Sequence, residues 1–205
     1  MTRPQAPITQ APMPLLRARS YAIHLVRWLR PHCLRLCIAG SIRRRRKTCG
    51  DVDLVAIPKT SEQTDLLGPT GEPLNHAWVF LSVFCANPAN QARLLSGGRP
   101  DSKSMSILLR KCQLDIWFAT PMTWSSLLLS KTGSTAHNVW LAMRAQDRGL
   151  HWQPSVGLQR RCDDHIDLLD APTERDLYAC LGLKWLPPRY RELDWLKSNI
   201  DGGLS

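Results

Sequence analysis

The chain has no long apolar run, no paired-cysteine motif and a shortage of acids, and each shortage removes a class of protein. Its most apolar stretches, such as WVFLSVF from Trp78, fall far short of the roughly 20 residues a membrane-spanning helix needs, so no membrane association is expected. The seven cysteines, Cys33, Cys37, Cys49, Cys85, Cys112, Cys162 and Cys180, are odd in number and form no C-x-x-C pair. Neither a disulfide framework nor a zinc site is indicated, and the thiols are read as reduced, as in a cytosol. The histidines, His24, His32, His76, His137, His151 and His165, show no H-x-x-H or H-x-x-x-H spacing, and none is assigned a catalytic role. A G-x-x-x-x-G-K-[ST] loop is missing, which excludes a Walker-type phosphate cradle, and no internal repeat occurs. Only 17 acidic residues face 27 lysines and arginines, and the net charge of +10 favours a polyanionic partner such as nucleic acid.

At 205 residues the chain can build one good core or two small subdomains sharing an interface. Residues 1–14, MTRPQAPITQAPMP, are rich in proline and polar residues, lack the apolar segment of a signal peptide and are expected to form a disordered tail. A cytoplasmic location follows. Leu15, Ile23, Val26 and Leu29 recur at helical spacing, and Pro31 ends that pattern. LRLCIAG from Leu34 reads as a strand punctuated by Gly40, and GDVDLVAIP from Gly50 as a second strand stopped by Pro58. Residues 59–75 read as a connection, HAWVFLSVFCAN as a helix, and the segment 97–121 as two strands about a basic turn at Arg110 and Lys111, with Leu114, Ile116 and Phe118 facing inward. Beyond a boundary near residue 120, TGSTAHNVWLAMRAQDRG offers Thr or Ser as an N-cap, a helical body and Gly149 as its stop.

The stretch GSIRRRRKTCGDVDLV, residues 40–55, sets five cations directly before two carboxylates. Alternation along the second strand places Val52, Leu54 and Ala56 on one face and Asp51, Asp53, Val55 and Ile57 on the other. Asp115, on the face of its own strand opposite Leu114 and Ile116, supplies a third carboxylate if the two strands are neighbours. Such hard oxygen donors suit Mg²⁺, which takes the rest of its coordination from water and substrate phosphates. Gly40 and Ser41 follow a strand, where a turn and a hydroxyl can approach phosphate, and an arginine such as Arg44 can grip phosphate oxygens in a fork. Alone, D-x-D is equally a solvated strand edge, and an arginine run is equally a solvated face or a nuclear import signal. Side by side they fit one ligand that carries negative charge and metal together, a nucleoside triphosphate.

Gly40-Ser41, eight intervening residues that include Arg43 and Arg44, then Gly50-Asp51-x-Asp53, closely resembles the signature of the family X DNA polymerases, the DNA polymerase beta relatives. LDIWF around Asp115 resembles the strand bearing the family's third catalytic aspartate, and TGSTAHN at 132–138 resembles its nucleotide-binding Thr-Gly-Ser-x-x-x-Asn segment. TERDLYACLGLKWLPPRYRE, from Thr173, is similar to the closing segment of bacterial members. The resemblance implies an α+β fold: a nucleotidyltransferase palm with a leading helix over 15–120 and a thumb-type subdomain that binds the nascent base pair over 121–205. It implies that Asp51, Asp53 and Asp115 hold Mg²⁺, or Mn²⁺ in its place, with Asp115 nearest the primer hydroxyl. It further implies that Gly40, Ser41, Arg44 and Gly50 contact the triphosphate, that Gly133 lies near the sugar, and that Asn138 reaches the minor-groove edge of the incoming base.

Departures from that pattern sharpen the expectations. Ser130 and Lys131 stand where an aromatic pair usually precedes the Thr-Gly-Ser and helps exclude ribonucleotides, and Ala142 stands where an arginine usually checks the template pair. Only about forty residues precede Gly40, which leaves no room for the family's N-terminal lyase module and predicts no 5′-deoxyribose phosphate lyase activity. The expected function is a monomeric DNA-directed DNA polymerase that adds dNTPs to a primer end on gapped or primer–template DNA, filling short gaps in repair. Arg99, Lys103, Arg110, Lys111, Arg160 and Arg161 are the remaining candidates for phosphate-backbone contact. Two alternatives stand beside this reading: transfer to another acceptor or without a template, and a non-catalytic DNA-binding protein.

Overall fold

In the computed structural model, which describes residues 11–62, 64, 65, 68, 69 and 73–192, the alternation of the second strand sets up two cores, one on each face of a sheet. Five strands make that sheet: β1 (Cys33–Ile38), β2 (Asp51–Pro58), β3 (Arg93–Ser96), β4 (Ser104–Leu108) and β5 (Gln113–Phe118), in the order β1-β2-β5-β4-β3. The β2–β5 pair is parallel and its neighbours are antiparallel, so the sheet is mixed. Val52, Leu54 and Ala56 meet Leu114 and Ile116 on one face, beneath helices α1 (Leu15–Leu29) and α3 (His76–Ala86). Val55 and Ile57 point the other way and are covered by Trp124, Leu127 and Leu128 of helix α4 (Trp124–Thr132). Each fully buried Leu or Ile contributes about 1.5–3 kcal/mol of transfer free energy.

Helix α1 buries Ala18, Ala22 and Leu29, with Leu15, Leu25 and Val26 packed at the margin of the core, whereas Ile23 is 37% exposed. Ile23 was expected on the apolar stripe. It lies about 100° round the helix from Ala22, and the seam that meets the sheet runs through the small alanines, which let the helix approach closely. The proline-rich start also differs from expectation. Met13–Pro14 pairs antiparallel with Thr48–Cys49, and Met13 is buried in the main core, so the ordered chain begins before residue 15. Residues 1–10 of the expected tail lie outside the described residues.

Beyond α4 come helix α5 (Thr135–Gln146), an antiparallel sheet of β6 (Leu150–Gln153), β7 (Gly157–Arg161) and β8 (Ile166–Leu168), and helix α6 (Glu174–Cys180). Ser134 caps α5 by accepting from the His137 N–H, and Thr173 and Asp176 cap α6 reciprocally. Leu141, Leu150, Trp152, Leu158, Leu177 and Tyr178 form a separate core. Leu129 joins this second core while Leu127 and Leu128 face the first sheet, so α4 belongs to both. The architecture is α+β. No helix among the described residues is long and apolar enough to cross a membrane.

Candidate active site

Asp51 and Asp53 point to the same side of β2 because their spacing matches the two-residue period of a strand. Parallel pairing then places Asp115 directly opposite Asp53 and Gln113 opposite Asp51. Carboxylate oxygens of Asp51, Asp53 and Asp115 all lie within 4.8 Å of one another, and all three residues are half-buried. Gln113, two residues before Asp115 and on the same face, donates from Nε2 to both Asp115 oxygens at 3.1 Å and steadies that carboxylate.

Three like charges this close resist ionisation. Burial, then the charges of Asp51 and Asp115, push the Asp53 carboxyl up to about 7 despite the opposing pull of Arg44 and Lys131. Asp51 is raised by burial and by Asp115. A group of hard oxygen donors, held together and short of compensating charge, is chemically suited to a divalent cation. Built-in relief comes from Arg44 first and then from Lys131 on α4, whose ammonium sits 3.3 Å from the centre of the Trp117 ring; burial lowers the Lys131 pKa while Asp53 and Asp115 raise it. Gly40 opens the short helix α2 (Gly40–Arg43) in the left-handed region at φ 56°, and a Cβ there would fall 1.8 Å from Asp53 Oδ2. Only glycine lets the β1–α2 turn pass so near the carboxylates.

The five-cation run divides. Arg45, Arg46 and Lys47 are exposed, while Arg43 and Arg44 turn inward. Arg43 grips Glu174 of α6 with both terminal nitrogens, at 2.6 and 2.9 Å, and donates to Thr132 Oγ1 at 2.5 Å. Arg191, with no exposed side-chain surface, holds the same carboxylate at 3.0 and 3.1 Å. Burial works to raise the Glu174 pKa, but hydrogen bonds from Arg43 and Arg191 outweigh it and bring it down to about 2. The Arg191 carbonyl accepts from the Ser134 hydroxyl at 2.5 Å, fastening the closing segment to the cap of α5. Arg44 donates from Nε to Glu192 at 2.7 Å and from Nη1 to the Thr132 carbonyl.

Gly133 is buried at φ 68°, and a Cβ there would stand 3.1 Å from Arg44 Nη1, so the TGSTAHN segment meets the Gly-Ser turn. Asn138 donates to the Ser130 carbonyl at 2.8 Å. Its Oδ1 and the Ser41 hydroxyl are buried without a hydrogen-bond partner among the described residues. Gly50 faces open space, with nothing within 4 Å of an added Cβ. His137 is buried and shares a 2.6 Å hydrogen bond with the Tyr178 hydroxyl; burial and then Arg191 bring its pKa down to about 3, so it packs as a neutral ring. Arg99, Lys103, Arg110, Lys111, Arg160 and Arg161 are all exposed.

Sequence reasoning passed over Gln113, Glu174 and Glu192. Gln113 was discoverable, because strand alternation puts it beside Asp115; Glu174 and Glu192 pair with Arg43 and Arg44 more than 130 residues away, and Glu174 also with Arg191 17 residues on, which no local pattern reveals.

The family described as DNA polymerase beta thumb matches residues 127–192. A curated relative, DNA polymerase/3′-5′ exonuclease PolX of Bacillus subtilis (strain 168), is 27% identical over 175 residues, 85% of this chain. Over these spans the chain is similar to the family X DNA polymerases. It spans 27% of the length of that relative. The thumb match takes in Lys131, Gly133, Asn138, Glu174 and Arg191, while the three aspartates lie before it, on strands β2 and β5 of the five-stranded sheet.

Proposed function

We propose that this chain is a nucleotidyltransferase of the DNA polymerase kind, adding deoxynucleotides from dNTPs to a primer 3′ end on gapped or primer–template DNA, with short-gap filling in repair as its role. The observation that carries this reading is the carboxylate triad Asp51–Asp53–Asp115, gathered within 4.8 Å beside the Gly40 turn. In this reading the palm runs to about residue 120, the thumb-type unit follows it, and the protein acts as a monomer.

Asp51, Asp53 and Asp115 would hold Mg²⁺, which supplies Lewis-acid activation of the attacking hydroxyl and charge compensation at the leaving pyrophosphate. Asp115 takes the proton of the primer 3′ hydroxyl. The 3′ oxygen forms its bond to the α-phosphorus, the bond to the bridging oxygen breaks, and pyrophosphate leaves with that electron pair. The Gly40 backbone and the Ser41 hydroxyl bind phosphate oxygens, which gives the orphaned Ser41 Oγ a partner. Arg44 exchanges Glu192 for phosphate, a like-for-like swap of one anion for another in a charge-assisted fork. Gly50 borders the triphosphate, Gly133 lies under the sugar, and Asn138 offers its unpaired Oδ1 and its amide to the base edge.

Extension of a labelled primer across a one-nucleotide gap, with Mg²⁺ and each dNTP in turn, tests the reading against Asp115→Ala. Template-matched extension lost in the variant is the expected result. Untemplated extension lost in the variant would make the chain a terminal transferase. Salt-sensitive DNA binding without extension would make it a binding protein or direct the search to another acceptor.

A further inference from the structure

The turn joining β7 to β8 gathers a second donor set, chemically unlike the triad and on a different sheet. Cys162, His165 and Asp167 each bring one ligand atom into a space where all lie within 4.8 Å of one another. The Cys162 N–H donates to the His165 carbonyl at 2.9 Å and closes the turn, and Asp167 stands on β8 opposite Arg160 of β7. The Cys162 thiol donates to Asp167 Oδ2 at 3.3 Å, and His165 Nε2 lies 3.1 Å from Asp167 Oδ1. One carboxylate thus receives, on its two oxygens, a sulfur and a nitrogen that are themselves metal ligands.

Cys162 also differs from the buried thiols. Cys33, Cys49 and Cys112 are buried in the apolar core, whereas Cys162 stands at a solvent-facing turn beside the exposed Asp163 and Asp164. The arrangement reads C-x-x-H-x-D, a mixed spacing that a search for paired cysteines or paired histidines passes over.

We infer that Cys162, His165 and Asp167 form a binding site for a borderline-soft divalent transition ion, Zn²⁺ foremost. Sulfur, imidazole nitrogen and carboxylate oxygen are the three donor types Zn²⁺ accepts, whereas Mg²⁺ takes oxygen and shuns thiolate. On binding, the Cys162 sulfur gives a lone pair to the ion and its proton passes to solvent. His165 coordinates through Nε2 as a neutral ring with its proton on Nδ1, Asp167 supplies an oxygen, and water fills the fourth position. The ion bridges the end of β7 to the short β8, and it adds positive charge beside the exposed Arg160 and Arg161. This site stands independently of the proposed polymerase chemistry.

Titration of the full chain with Co²⁺, in a phosphine reductant free of chelator, tests it. A sulfur-to-cobalt charge-transfer band that saturates at one ion per chain and is displaced by Zn²⁺ is expected; the aspartate triad has no sulfur and gives no such band. Cys162→Ser should abolish the band. His165→Ala and Asp167→Asn should each weaken Co²⁺ binding by about tenfold to a hundredfold, and because all three residues lie outside the buried clusters the variants should keep the parent's circular dichroism. Absence of the band in the parent chain, its persistence in Cys162→Ser, or unchanged affinity in His165→Ala would each overturn the inference.

Discussion

Two charge clusters in this protein, one buried and one half-buried, are built on opposite principles. Around Glu174, two arginines hold one carboxylate through four hydrogen bonds of 2.6–3.1 Å, so every donor and acceptor is matched. Around Asp53, three carboxylates face one another, and the cations that oppose them are engaged elsewhere, Arg44 with Glu192 and Lys131 with an indole ring. The first cluster fastens α2, α6 and the closing segment together. The second stores repulsion that a bound cation would relieve. Matched charge marks structure and mismatched charge marks a candidate ligand site, although the residues of both look alike in sequence.

The largest break in that contrast comes from removing a carboxylate of the mismatched cluster. Asp115→Ala should reduce single-turnover primer extension by on the order of a thousandfold while leaving the melting temperature close to that of the parent. The matched cluster should respond the other way. Glu174→Ala strands the buried Arg191 and should cost about 3–5 kcal/mol in urea unfolding at neutral pH. The Glu174 pKa is depressed to about 2, so its stabilisation is fully present above the unfolded value of 4.5 and is lost as pH falls through that interval.

A smaller effect of opposite sign is expected at Asp53. Its pKa is raised from 3.8 to about 7, so the folded chain binds the extra proton and metal-free stability declines as pH rises across that window. In chelator at pH 7, Asp53→Asn should therefore stabilise by roughly 1 kcal/mol, and the pH dependence should flatten. The smallest effect belongs to Gly50→Ala, which meets nothing within 4 Å and should shift unfolding by less than about 0.5 kcal/mol. Gly40→Ala, a change of the same size, collides with Asp53 and should be poorly tolerated by comparison.

How much of this was legible in sequence depends on the range of the interaction. Alternation alone put Asp51 and Asp53 on one face, and the turn residues around Gly40 and Arg110 marked the strand ends, because these are properties of a few consecutive residues. The same rule would have found Gln113. The pairing of β2 with β5, which sets Asp115 opposite Asp53, required knowing which strands are neighbours. Ile23 was misplaced because hydrophobicity was weighed over size, and the seam goes to Ala18 and Ala22. Met13 read as tail because its partner, Cys49, lies far along the chain. Of the arginine run, composition showed the charge but not that Arg43 and Arg44 spend theirs on Glu174 and Glu192.

The alignment of Asp115 with Asp53 has one more consequence. The residues that flank Asp115, Leu114 and Ile116, are wholly buried and act as the detents of a sliding scale. A slip of one position along β5 would drive a carboxylate into the apolar layer and bring an aliphatic chain to the site, a penalty large enough to forbid it. The greasy interior therefore calibrates the acidic surface, and repacking Leu114 or Ile116 would mis-set the distances among carboxylates on the opposite face of the sheet.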